Sequence, residues 1–251
     1  MEQQQLVKIR KDLMLLKWYA GFLTVLLVIT GFIILTGAGK THFKEISAER
    51  INILENNGQL RMAISNKSLS PEVLAYGKPF IHAIPGGNRP GLIFYNDEGT
   101  ENGGLVFAGG KDSSGKYFAT GHFSFDQYNQ NQVLYLTYAD DNGDQNTGLH
   151  VDDWQTSPPF WVWRAEYKKA QLLPDGPVKE ALLKKMMEPT IGQKAIAQRV
   201  FVGKDVNKTA MVTLADRMGS PRLQLLVDSN GTAKINFLDS SGKVVSSLPN
   251  K

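Results

Sequence analysis

The sequence predicts a mainly β protein: an N-terminal transmembrane helix, then an antiparallel β-meander domain that closes as a barrel or a sandwich, with a short helical insertion. Three observations carry that expectation. The segment Trp18 to Ala38 reads WYAGFLTVLLVITGFIILTGA, 21 residues without a charge. The last fifty residues repeat an Asp-x-x-Gly tetrapeptide at Asp216–Gly219, Asp228–Gly231 and Asp239–Gly242, at spacings of 12 and 11. Between those turns apolar and polar residues alternate, the period of a strand with one face buried.

As a helix the uncharged run spans roughly 31 Å at about 1.5 Å per residue, the thickness of a bilayer core. Thr24, Thr30 and Thr36 can bond their hydroxyls back to helix carbonyls, and Trp18 and Tyr19 lie where interfacial anchors belong. Lys8, Arg10, Lys11 and Lys17 precede the run, whereas Lys40, Lys44 and Arg50 follow it, so the positive-inside bias is modest and places the N-terminus in the cytoplasm. The expected organisation is a cytoplasmic tail over residues 1–17, a membrane helix over 18–38, a linker over 39–47 and an extracytoplasmic β domain over 48–251. A cleavable signal peptide is the alternative, with small residues Thr36, Ala38 and Gly39, but the run exceeds the usual apolar core of about 7 to 15 residues. Gly39-Lys40-Thr41 mimics the end of a phosphate-binding loop, yet Ile34 stands where the motif needs its first glycine.

Strand signals begin with Ile51 and Ile53, then Asn57-Gly58 and the alternating Leu60, Met62 and Ile64. Leu92 to Tyr95 and Gly104 to Phe107 flank the turn Asn96-Asp-Glu-Gly99. At the C-terminal end, alternation puts Leu225 and Phe237 on the expected core face and Gln224 and Asn236 on the other. An Asp opening a type I turn bonds its own backbone, and a Gly at the fourth position takes the left-handed conformation, so each turn reverses the chain and pairs neighbours antiparallel. That chemistry favours a meander over the alternative, a β-solenoid. Residues 174–189 read as a helix opened by Pro177 and stopped by Pro189. Val178, Ala181, Leu182 and Met186 form its inward stripe, and Leu183 and Met187 fall off it, which makes those two the expected docking residues for a partner.

Beyond residue 42 the charges nearly balance, 23 bases against 22 acids, so no nucleic-acid partner is expected. The absence of cysteine excludes disulfides, thiolate nucleophiles and cysteine-ligated metals. No catalytic residue, cofactor or metal site is expected. His122, Ser124 and Asp126 share one face of a strand, but the outer two stand roughly 13 Å apart at the usual strand rise, too far for a relay. His42, His82, His122 and His150 show no ligand spacing, and neither Asp140–Asp144 nor His150 with Asp152 and Asp153 completes a calcium-type ligand series. Asp97, Glu98 and Glu101 are close enough in one loop to splay into solvent. The best binding candidate is aromatic: Trp154, Phe160, Trp161 and Trp163, with Trp161 and Trp163 on one strand face, set against the plainer reading that these rings fill a core.

The stretches FKEISAERINILENNGQLRMAISN, RPGLIFYNDEGTENGGLVFAGG, HFSFDQYNQNQVLYL and SPRLQLLVDSNGTAKINFLDSSGKVVSSLP resemble a family of uncharacterised bacterial single-pass membrane-anchored β-rich envelope proteins. The turn Asn96–Gly99 and the box Phe125–Tyr128 carry most of the likeness, and TSPPFWVW departs from it. The resemblance implies a bacterial envelope setting and nothing catalytic; with the charge bias above, the expected location is the inner membrane with the C-terminal domain outside the cytoplasm. Together these readings lead to the expectation of a non-enzymatic binding or scaffolding protein with a protein partner in the envelope. The alternative is a membrane-tethered hydrolase or carbohydrate-binding module using the Trp154 to Trp163 region.

Overall fold

A computed structural model of the chain describes residues 2–36, 42–80 and 83–249. The chain divides into two units, Met1–Ser47 and Ala48–Lys251. In the first, helix α1 (Glu2–Thr36) has no buried stretch, and its Gln3–Ile33 portion is long and apolar enough to cross a membrane, as a signal sequence would also be. Thr24 and Thr30 donate their hydroxyls to the carbonyls of Ala20 and Leu26 at 2.9 and 2.8 Å, which hides their polarity along the helix. The Thr36 side chain, the last two residues of the expected span, Gly39-Lys40-Thr41 and His82 lie outside the described residues.

The second unit is built on strands β1 (Arg50–Leu54), β2 (Leu60–Ser65), β3 (Leu74–Ala75), β4 (Lys78–Pro79), β5 (Gly91–Tyr95), β6 (Glu101–Lys111), β7 (Tyr117–Asp126), β8 (Gln132–Asp141), β9 (Asp144–Trp154), β10 (Ile196–Lys204), β11 (Ala210–Ala215), β12 (Pro221–Val227), β13 (Ala233–Leu238) and β14 (Val244–Leu248). Among the described residues, β3 and β4 form a hairpin of their own and the other twelve form one antiparallel sheet in the order β1-β2-β5-β6-β7-β8-β9-β10-β11-β12-β13-β14. The meander is therefore present without the expected closure. β1 and β14 each have a single neighbour in that order, so the sheet is open, neither a barrel nor two packed sheets nor a solenoid.

The turns explain why the chain keeps reversing. The Oδ1 atoms of Asp216, Asp228 and Asp239 each accept the backbone N–H groups of the second and fourth residues ahead, at 2.9 to 3.1 Å. Gly219, Gly231 and Gly242 close these turns at φ of 72°, 82° and 82°, where a Cβ would be strained. Asn96 builds the same turn, and so does Asp112 with Gly115, which the sequence reading passed over.

The register sorts the strands into two faces. One residue from each of the twelve strands lines up in a continuous row on one face: Ile51, Ile64, Leu92, Leu105, Phe123, Leu136, Leu149, Val202, Val212, Leu225, Ile235 and Leu248. The adjoining row on the same face runs from Ile53 through Phe94, Phe125, Leu134 and Val200 to Phe237 and Ser246, and is hydrophobic except at Gly103 and Ser246. Nothing among the described residues covers this face. Leu225 and Phe237, expected in a core, are each 42% exposed. Their alternation with Gln224 and Asn236 is as read, but the apolar side is the open one.

The opposite face is covered over the first half of the sheet. There Ala63, Ile93 and Ser124 are buried beneath the described parts of the segment 66–90, which contains the β3–β4 hairpin, and beneath helix α2 (Phe160–Gln171). This helix corrects the strand expected for Trp161 and Trp163. Phe160, Trp163, Tyr167 and Ala170 recur at helical spacing, and Trp163 and Ala170 are its buried residues. Helix α3 (Pro177–Met187) starts with its proline in the first turn and stops before Pro189, as the sequence indicates. Its orientation departs from the expected one, with Met186 alone of the inward stripe packed as expected. Val178 is 76% exposed and Leu182 is exposed, whereas Leu183, Met186 and Met187 are half-buried. Two backbone-directed bonds set that rotation: the Trp163 indole donates to the Met186 carbonyl at 3.2 Å, and the Ala195 N–H donates to the Met187 carbonyl at 2.8 Å.

Candidate functional site

The sheet and its cover enclose a cavity of about 180 Å³. From β6 come Glu101 and Gly104, from β7 His122, Ser124 and Asp126, from the β7–β8 turn Gln130, and from α2 Phe160, Trp161 and Arg164; Phe80 and Arg89 close it from the segment 66–90. Antiparallel register explains the meeting, since Gly104 sits opposite Ser124, and a Cβ on Gly104 would come within 2.5 Å of the Leu92 carbonyl oxygen, so glycine is what lets β5 and β6 approach beside the cavity.

One ion pair dominates the wall. Arg89 Nη1 and Nη2 donate to Glu101 Oε1 and Oε2 at 2.6 and 3.0 Å, with both side chains 14% exposed, and Nη2 also donates to the Pro71 carbonyl. Burial pushes the Glu101 carboxyl up while its bond from Arg89 pulls it back down, and the net is upward. Asp126 has no such partner. Burial, reinforced by the Glu101 charge, pushes it up to about 8, and its Oδ1 accepts no hydrogen bond. Burial also holds His122 below the usual histidine range, and its Nε2 is unpartnered. His122, Ser124 and Asp126 thus share a face as read, without forming a relay. The Gln130 side chain donates to the Pro158 carbonyl at 2.9 Å and leaves its own carbonyl oxygen unpaired.

Beside the cavity, on the same face, Tyr135 stacks on His150 at 4.5 Å and donates its hydroxyl to Asp152 at 3.0 Å. The His150 ring is held between Gln198, whose amide reaches Nδ1 at 2.8 Å, and Thr137 at Nε2, 3.0 Å. A donated amide hydrogen makes Nδ1 the acceptor, so the ring is neutral with its hydrogen on Nε2, in agreement with a pKa lowered by burial. Asp153 pairs with Arg199 instead of turning toward Asp152. The tip acid Asp140 accepts the Gly143 N–H and the Gln145 amide and belongs to its hairpin. Asp97, Glu98 and Glu101 go separate ways, to Arg61, Tyr128 and Arg89. Among the described residues no three His, Asp or Glu side chains gather as metal ligands would.

The sequence-predicted aromatic group is divided by α2. Trp154 and Trp163 meet edge to face at 5.7 Å, Trp163 stacks on Tyr167 at 4.9 Å, and the Trp154 indole donates to the Gln132 carbonyl, which makes this pair the packing between sheet and helix. Trp161 points elsewhere: it lines the cavity and meets Tyr76 edge-on at 5.4 Å. Leu183 and Met187 lie half-buried on α3, packed in part rather than facing wholly outward. Sequence reasoning missed Arg89 and Gln130, and it read Glu101 as a solvent-facing loop acid. His122, Ser124 and Asp126 carried a signal as one polar strand face, and Phe160 and Trp161 as part of the aromatic group.

On the other side of the sheet, the open face holds two shallow apolar depressions of about 830 and 780 Å³, one over β6 to β10 and one over β10 to β14. No protein-family profile matches the chain, and neither a curated protein nor a solved structure matches it.

Proposed function

We propose that this chain is a membrane-anchored, non-enzymatic binding protein of the bacterial envelope, held by its N-terminal helix with the β unit outside the cytoplasm, and that it works through the open apolar face of its sheet. The observation that carries this reading is the pair of charge-free rows crossing all twelve strands. Soluble proteins rarely leave apolar patches beyond a few hundred Å² exposed unless something binds there. The cavity supports catalysis less well. Glu101 is committed to Arg89, Asp126 has no hydrogen-bonded partner to activate, and about 180 Å³ falls short of the roughly 300 to 1,000 Å³ of ordinary substrate pockets.

Crosslinking in native membranes tests the reading. Leu136→Glu with Leu225→Glu should abolish the crosslinked species while far-ultraviolet circular dichroism stays that of a β protein, and Trp161→Ala should leave crosslinking intact. In the same membranes Ser113→Cys should react with an impermeant maleimide applied from the extracytoplasmic side. Loss of binding in Trp161→Ala alone would transfer the function to the cavity and favour the tethered hydrolase or carbohydrate module. Labelling of Ser113→Cys from the cytoplasmic side alone would reverse the orientation.

A further inference from the structure

We infer that the open face is covered by the same face of a second copy of this chain, so that two sheets form one sandwich; the inference rests on the binding reading above and names its partner. Area is the first argument. Twelve strands about 4.8 Å apart span roughly 53 Å, and two residue rows occupy about 14 Å along the strands, which gives on the order of 740 Å² per copy. A third row on the same face carries Phe107, Tyr138, Ala210 and Val227 but is interrupted by Thr147 and Lys204, so it marks where the apolar patch gives way to its margin. A stable interface needs about 800 Å² from each partner, so this face is of the size that a dimer uses.

Chemistry is the second argument. A partner for a surface without charges must itself be apolar over a comparable extent, or its polar groups would be buried unpaired. Among the described residues of the β unit that surface is the open face itself, the apolar length of α1 being the part that the membrane would take. The face also has the anatomy of an interface, because its apolar rows give way along one margin to a polar group in which Lys204 Nζ donates to Gln145 Oε1 at 3.0 Å and the Gln145 amide donates to Asp140 at 2.8 Å.

Shape is the third. Two sheets of the same twist pack aligned with about 30° between strand directions and interdigitate their side chains across roughly 10 Å. Two copies have identical twist by construction, and a two-fold axis sets one patch on itself, the commonest closed assembly. Tethering both copies to one bilayer raises their effective concentration and favours the pair further.

The chain has no cysteine, which permits a clean test in native membranes with the full-length protein. Leu136 on β8 and Leu149 on β9 occupy the middle of the strand order, close to any two-fold axis lying in the interface, whereas Thr137 points to the other face. With a bismaleimide that reaches about the 10 Å between packed sheets, Leu136→Cys and separately Leu149→Cys should give a species of twice the 27.8 kDa chain. Peptide mass spectrometry should find this sequence alone in it. Thr137→Cys should remain a monomer. Joining of Leu136→Cys to a different protein would overturn self-pairing and leave the binding reading standing. Leu136→Cys that stays monomeric and shielded from water-soluble maleimide, with lipid co-purifying, would overturn it in favour of an acyl-chain occupant. Monomeric Leu136→Cys labelled freely by that reagent would overturn both readings, and equal crosslinking through Thr137→Cys would overturn the choice of face.

Discussion

The two faces of the sheet are made from the same strands and closed by the same turns, yet their surroundings are opposites. One face mixes Ala63, Ile93, Ser124, Tyr135 and His150 and is roofed over its first half by the segment 66–90 and α2. The other is hydrophobic from β1 to β14 and has no roof among the described residues. The difference teaches that alternation in a strand reports which side chains share a face, and that burial is decided by whatever is laid on that face. Over the second half of the sheet the polar side, with Thr213, Gln224, Asn236 and Ser247, needs no cover because water serves it. The apolar side has no such recourse.

Substitutions on the two faces would break or sharpen this contrast. The largest effect is expected at the roofed face, where Arg89→Ala leaves Glu101 buried without its cation. The loss should be about 3 to 5 kcal/mol near pH 8. It should shrink as the pH is lowered, because a carboxyl already raised by burial takes up a proton more readily once its cation is gone; chemical denaturation near pH 8 and at an acidic pH measures this. A pH-independent loss would mean that the pair is not what holds that wall.

Next come two core-type truncations. Ile93→Ala, at a side chain 2% exposed, should cost about 2 to 5 kcal/mol at any protein concentration. Phe237→Ala should cost only about 1 kcal/mol in dilute detergent solution, where half of its surface is already wet, and more as concentration rises and the open face becomes covered. Equal costs for the two in dilute solution would erase the distinction between the faces.

Last comes an effect that depends on pH alone, at Asp126, whose pKa stands at about 8 in the folded chain against an ordinary 3.8. The folded state therefore binds a proton that the unfolded state has released, so this group's contribution to stability falls as pH rises between those two values. Asp126→Asn should remove that slope, melting clearly above the natural chain at pH 8.5 and close to it at pH 4. Parallel melting curves across that range would show the carboxyl to be solvated.

Much of the fold was legible because it is written in local chemistry. The Asp-x-x-Gly turns specify reversal within four residues, and the alternation between them survives in the observed register. Asp112-Ser-Ser-Gly115 obeys the same rule and was recoverable by the same scan. Helix α2 was obscured because Trp161-Val162-Trp163 read alone has the period of a strand, while the decisive spacing, Phe160 to Trp163 to Tyr167, spans about two turns. The rotation of α3 was not legible, because it is set by the Trp163 indole and the Ala195 amide, groups from outside the helix. The cavity was the least legible part. Arg89 and Glu101 are twelve positions apart and flank the short strand β5, and nothing in either neighbourhood marks them as a buried pair.

The strand order has a consequence for how the molecule is made. Each strand of the large sheet pairs with the one before it in the chain, with two detours, between β2 and β5 and between β9 and β10. Contacts are therefore close in sequence, the topology that folds quickly and can proceed as a polypeptide is being delivered, hairpin upon hairpin. The detours are the stretches that build the roof, so a growing sheet need not wait for either of them before adding its next strand. A ribosome or a translocation pore releasing this chain from its N-terminus would meet, at every stage, an unfinished edge ready to receive what comes next.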